Sequence, residues 1–228
     1  MTMISFSHAD NFTRNLATIK DGGGLSPLRS YAPIVTSSPV GHLPVSVEVI
    51  ADHLRVDDVQ AETNILEIMC EGACDFIEIR TSWALRPKRY QFYLDSLWAD
   101  QLTVHRGPLR GNVKVEVYAA DGTWEIVPPS KVHYVEEGRQ FRVWLEDVSL
   151  SPRRSRDGVR VSFEAGFDNG EETGSIHPIH GGLRMLLLMI TGHYYKNREI
   201  IGATTPRFGV EAVELGATSL LGAYRSYL

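Results

Sequence analysis

Residues 159–199 read VRVSFEAGFDNGEETGSIHPIHGGLRMLLLMITGHYYKNRE, and the hydrophobic period changes inside that stretch. Val159, Val161 and Phe163 alternate with Arg160, Ser162 and Glu164. That period of two belongs to a strand with one buried face. After Ser175 and Pro178, Leu183, Leu186, Leu187, Ile190 and Tyr194 share one face at helical spacing. They predict a long helix near 177–199. Met185, Leu188 and Met189 lie on its other sides. A helix that is apolar nearly all round is either fully buried or shared with a neighbouring chain. A strand segment followed by a helical segment predicts an α+β fold.

The same two periods recur upstream. Val113, Val115 and Val117 alternate with Lys114 and Glu116, and Phe141, Val143 and Leu145 with Arg142 and Trp144. Asp121-Gly122 between such runs is a hairpin signal. An antiparallel sheet of five or six strands is therefore expected near 90–165, inserted between helical parts. Before it, Ser46 caps a short helix through Leu54, and Asp57 or Asp58 caps a long one near 58–82. Leu66, Met69, Ala73, Phe76 and Ile77 form the apolar face of that helix. Glu67, Glu71, Asp75 and Glu78 form a stripe opposite. The stripe reads as a solvated face, or as a surface turned toward something that must not stick, such as moving DNA. A Thr205-Pro206 break precedes a last short helix near 210–225 with Val213, Leu220, Leu221 and Tyr224. Residues 1–45 hold Gly22–Gly24, Ser37-Ser38-Pro39 and Pro44 without periodicity, and read as an extended or mobile N-terminal arm. Residues 46–228 make the main domain.

Composition narrows the function. The chain has 228 residues, 43% hydrophobic and 22% charged, enough for a real core. Its net charge of −5 suits poorly the gripping of nucleic acid from outside, which takes Lys and Arg to neutralise phosphates. Cys70 and Cys74, the two cysteines, exclude a disulfide scaffold and read as small core residues one helical turn apart. The N-terminus has no signal-peptide pattern. The uncharged run Met185–Tyr195 is about half of the roughly 20 residues that a membrane span needs. A soluble chain made in a cytoplasm, with no membrane partner, is expected.

Chemistry-bearing motifs are sparse. There is no nucleophile elbow, phosphate loop, dinucleotide fingerprint or zinc-protease helix in the sequence. His177 and His180 stand three apart without a Cys or carboxylate pair at ligand spacing, so no metal and no cofactor is expected. The basic clusters Arg86-Pro87-Lys88-Arg89 and Arg153-Arg154-x-Arg156 sit at strand edges. They are solvated hairpin ends, or contacts to an acidic protein neighbour or to phosphate. No enzyme activity is expected.

Five segments in order resemble the head–tail connector (adaptor) proteins of tailed phages. SVEVIADHLRVDD, with Leu54, Arg55, Val56 and Asp57, is similar to the family's opening helix and turn. ACDFIEIRTSWAL resembles its next helix at Ala73, Phe76, Ile77, Glu78, Thr81 and Leu85. VRVSFEAGF resembles a strand of the family at Val159, Val161, Phe163, Ala165, Gly166 and Phe167. HPIHGGLRMLLLMITGHYYKNRE carries the family's helix at Pro178, Leu188, Tyr195, Arg198 and Glu199, with Gly181-Gly182 where the family has alanine. FGVEAVELGATSLLGAYR matches its close at Gly209, Val210, Leu220, Leu221, Tyr224 and Arg225. The match covers about residues 46–228. The version with a β insertion, also found in phage-derived gene transfer agents, is the one the chain looks like.

That resemblance implies a structural protein without catalytic residues. Such proteins form a ring, usually of twelve copies, under the portal of the capsid. They join it to the stopper or tail, and DNA passes non-specifically through the lumen. A ring has heterologous interfaces, with two different patches on each subunit. Met185, Leu188, Met189, Tyr195, Arg198 and Glu199 are the expected subunit-interface residues. Tyr224, Arg225, Tyr227 and Leu228 are the expected portal contacts, and Glu67, Glu71, Asp75 and Glu78 the candidates for lining the lumen. The competing reading is a β-rich stopper or tail-tube-type module that binds through its sheet.

Overall fold

The computed structural model describes residues 17–21, 24–27, 34–37, 43–97, 101–148, 152–153, 156–168, 177–197 and 219–224. The chain divides into two compact units. One combines the described parts of Met1–Pro39 with Pro87–Gly166, and the other the described parts of Val40–Arg86 and Phe167–Tyr227.

Among its described residues the first unit is built of β-strands, with one short 3-10 turn at Pro129–Lys131. Its strands are β1 (Ala17–Asp21), β2 (Gly24–Pro27), β3 (Ile34–Ser37), β4 (Lys88–Leu94), β5 (Gln101–Val104), β6 (Leu109–Tyr118), β7 (Trp124–Ile126), β8 (Val132–Glu136), β9 (Phe141–Leu145) and β10 (Val159–Ala165). They form two antiparallel five-stranded sheets, ordered β2-β1-β5-β9-β8 and β3-β4-β10-β6-β7. The single sheet expected over 90–165 is thus two sheets. Three further strands, from residues 17–37, complete them: β1 and β3 pair with β5 and β4, far along the chain, and β2 pairs with its neighbour β1 at the sheet edge. Alternation on β10 buries Val159, Val161, Phe163 and Ala165, as the period of two dictates. Phe163 meets Phe141 of the other sheet edge to face, with ring centroids 4.9 Å apart, so the two inner faces share one core. The Asp121-Gly122 signal marks the loop from β6 to β7, where Gly122 takes φ +88° and Asp121 accepts from the Thr123 amide.

His105 is buried in this unit, and its Nε2 has no hydrogen-bond partner among the described residues. Burial pushes its pKa below the ordinary 6.5, and Arg139 adds to that against a hydrogen bond with Gln140. The folded chain therefore binds fewer protons here than the unfolded chain does. Between the lowered folded value and about 6.5, stability falls as pH falls, by up to about 1.4 kcal/mol per pH unit. Above that window this group adds no slope. Thermal unfolding at pH 7.5 and pH 5.5 should show a loss at the lower pH that His105→Phe reduces. An equal loss in both proteins would assign the slope elsewhere.

The second unit is helical: α1 (Val47–Leu54), α2 (Val59–Thr81) and α3 (Gly181–Lys196), with residues 219–224 also helical. Asp58 caps α2 by accepting from the Ala61 amide, as its position before the apolar periodicity requires. Ser82, in the left-handed region at φ +61°, ends it. α3 begins at Gly181, later than expected, because the chain before it is held extended. Asp168 bridges Pro178, its amide donates to the His177 carbonyl, and its carboxylate accepts from the His177 amide. Leu66, Ala73 and Ile77 of α2 and Leu183, Leu186, Leu187 and Ile190 of α3 form the core with Ile50 of α1. Cys70 and Cys74 are free and buried in that core, and Trp83 stacks on Phe167 at 5.2 Å.

Candidate assembly surfaces

The α3 candidates divide sharply. Met185 is 51% exposed. Met189 is half-buried. Leu188 and Tyr195 are also half-buried, but they pack on the unit's own core. Arg198 and Glu199 lie outside the described residues. Apolarity all round α3 therefore has two sources: most of it meets α1, α2 and residues 219–224, and Met185 is left facing out.

Of the terminal candidates, Tyr224 is half-buried against the same core, beside buried Leu221. Its ring lies over Gly182: a Cβ there would overlap the Tyr224 hydroxyl and stand 3.0 Å from the ring. The missing side chain of Gly182 is what lets this aromatic approach the helix. Arg225, Tyr227 and Leu228 lie outside the described residues, as does the expected helix before residue 219.

The acidic stripe of α2 is not one surface. Glu67, Glu71 and Asp75 are exposed, whereas Glu78 is only 7% exposed. The Glu78 carboxylate accepts from the amides of Leu85 at 2.9 Å and Arg86 at 3.1 Å. It thereby fixes the chain that leaves α2. Arg86 then turns back along the helix, with Nη2 2.5 Å from Asp75 and Nη1 3.4 Å from Glu71. Its side chain is 14% exposed, so the basic cluster Arg86–Arg89 is not wholly a solvated hairpin end. Two of the three exposed acids are thus already matched by one cation.

A surface that reading only the core face misses lies on the far side of α2. Ile65, Ile68 and Ile79 are 42%, 66% and 63% exposed. With exposed Ala61 and Gly72 they fall at helical spacing on the side opposite the buried face. The acids flank this row. The signal was available in the sequence as a second apolar period, offset by about half a turn from the core stripe.

The polar face of β4, β10 and β6 carries the densest charge network described in the first unit. Arg160 grips Glu116 with two hydrogen bonds of 2.7 and 2.8 Å, and Lys114 adds an ion pair at 2.9 Å. Burial works to raise the Glu116 pKa, but hydrogen bonds and charge from Arg160 and Lys114 outweigh it and hold the carboxyl ionised below its usual range. Arg89 pairs with Glu164 at 2.7 Å.

Among the described residues no group of His, Cys, Asp and Glu could hold a metal, and no helix is long and apolar enough to cross a membrane. No protein-family model matches the chain. No curated protein is similar to it in sequence. Solved structures do match. A chain from the neck of an empty gene transfer agent (GTA) particle, computed with C6 symmetry, is 22% identical with a TM-score of 0.64, covering 84% of this chain and 94% of that one. A chain from the virion of a native GTA particle is 21% identical with a TM-score of 0.65, covering 86% and 96%. A chain from the neck of a native GTA particle, computed with C12 symmetry, is 20% identical with a TM-score of 0.61 over the same shares. The chain therefore has the α+β fold seen in these particle components, across both of its units.

Proposed function

We propose that this chain is a structural adaptor of the neck of a phage or phage-like particle. It forms a ring under the portal, joins the capsid to the stopper or tail, and lets DNA pass through the lumen. The observation that carries this reading is the fold: it extends over 84–86% of the chain in components of GTA necks and virions, two of them solved with cyclic symmetry. The five ordered resemblances to head–tail connectors support it independently of the fold.

Copies arranged on a cyclic axis must offer each other two different patches. Met185 and the row Ile65, Ile68 and Ile79 supply exposed apolar area for such contacts, joined by Met189, four residues after Met185, and by Arg198 and Glu199, which follow α3 in sequence. Leu188 and Tyr195 act by holding α3 in shape. Tyr224, Arg225, Tyr227 and Leu228 reach the portal, and Glu67, Glu71 and Asp75 line the channel, where a surface without excess cations does not retain the passing strand. Glu78 serves that face from behind. Single contacts between copies are weak, and docking on a symmetric template sums them into high avidity.

Electron microscopy of particles made with an early stop codon in this gene tests the reading. DNA-filled or leaky heads standing apart from finished tails are expected. Normal tailed particles would overturn it.

A further inference from the structure

We infer that the polar face of β4, β10 and β6 is a docking hollow for an acidic polypeptide segment of a neighbouring protein chain. Cross-strand register sets its chemistry. Arg89, Glu164 and Arg110 stand in one row, Gln91, Ser162 and Lys114 in the next, and Tyr93, Arg160 and Glu116 in the third. Between the first two rows the β10–β6 ladder opens. Three β6 residues, Gly111 to Val113, stand there opposite the single residue Phe163. Gly111 takes φ +70° to make that bulge. Small Ser162 lies at the centre of the face. The result is an open hollow of about 540 Å3.

Among the described residues, four cations and two carboxylates line it: Arg89, Arg110, Lys114 and Arg160 against Glu116 and Glu164. These described lining residues sum to two positive charges, on a chain whose net charge is −5. Glu116 is buried beneath its two cations. Arg89 and Lys114 are well exposed on the rim. The exposed part of the hollow is thus a surface for carboxylates, with the amide groups of Gln91 and Asn112 as neutral partners.

Shape and charge pattern favour a polypeptide over nucleic acid. A duplex presents an unbroken phosphate ladder, one charge per about 1.7 Å of axis, to a continuous basic track. Here Glu164 sits between Arg89 and Arg110 in the same row, where a phosphate backbone would meet a fixed negative charge. The hollow is closer to the size of small ligand sites, roughly 300–1,000 Å3. A short extended segment can instead set its carboxylates against Arg110 and Lys114 and pass Glu164 with a neutral residue. This inference does not depend on ring formation or on the place of the chain in a particle.

Fluorescently labelled hexaglutamate and a labelled short duplex DNA, each titrated with the full-length chain, test it. Saturable, salt-sensitive binding of the peptide is expected, tighter than that of the DNA. Arg110→Glu with Lys114→Glu should weaken it by roughly tenfold or more. Lys114→Gln alone, at an exposed position, serves if the double variant fails to fold, and should weaken it measurably. No peptide binding at millimolar concentration, binding that the variants leave unchanged, or equal or tighter binding of the DNA would each overturn the proposal.

Discussion

Gly107→Ala is expected to destabilise the β unit by about 3 kcal/mol or more. A Cβ at this position would overlap the carbonyl oxygen of Gly138 and stand 2.8 Å from the carbonyl carbon of Arg139. Both are backbone atoms, so no rotamer change relieves the clash. The turn that carries them cannot simply retreat. Glu137 donates its amide to the Gln140 carbonyl at 2.8 Å, and the β8–β9 ladder starts immediately beyond, at Glu136 and Phe141. The Glu136 carboxylate in turn accepts from the Leu109 amide at 3.1 Å, tying β8 to the start of β6. Moving the turn by the distance a methyl needs would strain all three connections, and would disturb buried His105 beside Gln140 and Arg139. Gly181→Ala is the matched control, since nothing lies within 4 Å of its Cβ, and should change stability by less than about 0.5 kcal/mol. Denaturant unfolding of the two variants measures both. A loss under about 1 kcal/mol at Gly107 would show that the β8–β9 turn yields.

The parts of the fold legible in the sequence were those whose periodicity is local. The buried alternation of β10, the β6–β7 hairpin loop and the span of α2 follow from residues within a few positions of each other. Residues 17–37 offered no such pattern, because two of their three strands are set by distant partners: β1 lies against β5, and β3 against β4. A short strand completed by a ladder so far along the chain carries little periodic signal of its own. The surroundings of the candidate surface residues were less legible for a different reason. Helical spacing puts Glu67, Glu71, Asp75 and Glu78 on adjoining arcs, but it cannot say that two backbone amides from Leu85 and Arg86 wait beside the last of them. Nor does a search for one core stripe register Ile65, Ile68 and Ile79, whose side chains have no role in the core they point away from. The basic hollow was hidden in the same way. Its cations are scattered from Arg89 to Arg160 in sequence, and only strand register assembles them.

Glu78→Ala should cost about 2–4 kcal/mol, the second large effect, and its companion Glu78→Gln much less. The alanine leaves the amides of Leu85 and Arg86 without their acceptor, one in a buried segment and the other half-buried. Each unsatisfied buried donor costs about 1–3 kcal/mol. Removing the carboxylate also takes one of the three acids from around the Arg86 guanidinium, which Asp75 and Glu71 then hold alone. Glutamine keeps a side-chain oxygen able to accept from both amides, so it separates the hydrogen-bonding role from the charge. The hydrogen-bonding role should dominate, because the interaction is with neutral donors whose alternative is to go unpaired. A second readout distinguishes local from global loss. In the alanine variant, amide exchange should speed first at Leu85 and Arg86 and along the last turn of α2, where Thr81 and Ser82 close the helix. With that exit loosened, Arg86 no longer holds Glu71 and Asp75 in place, and the acidic face of α2 loses its fixed geometry. Equal losses from alanine and glutamine would instead mean that the charge of Glu78, and not its acceptor oxygens, secures the junction.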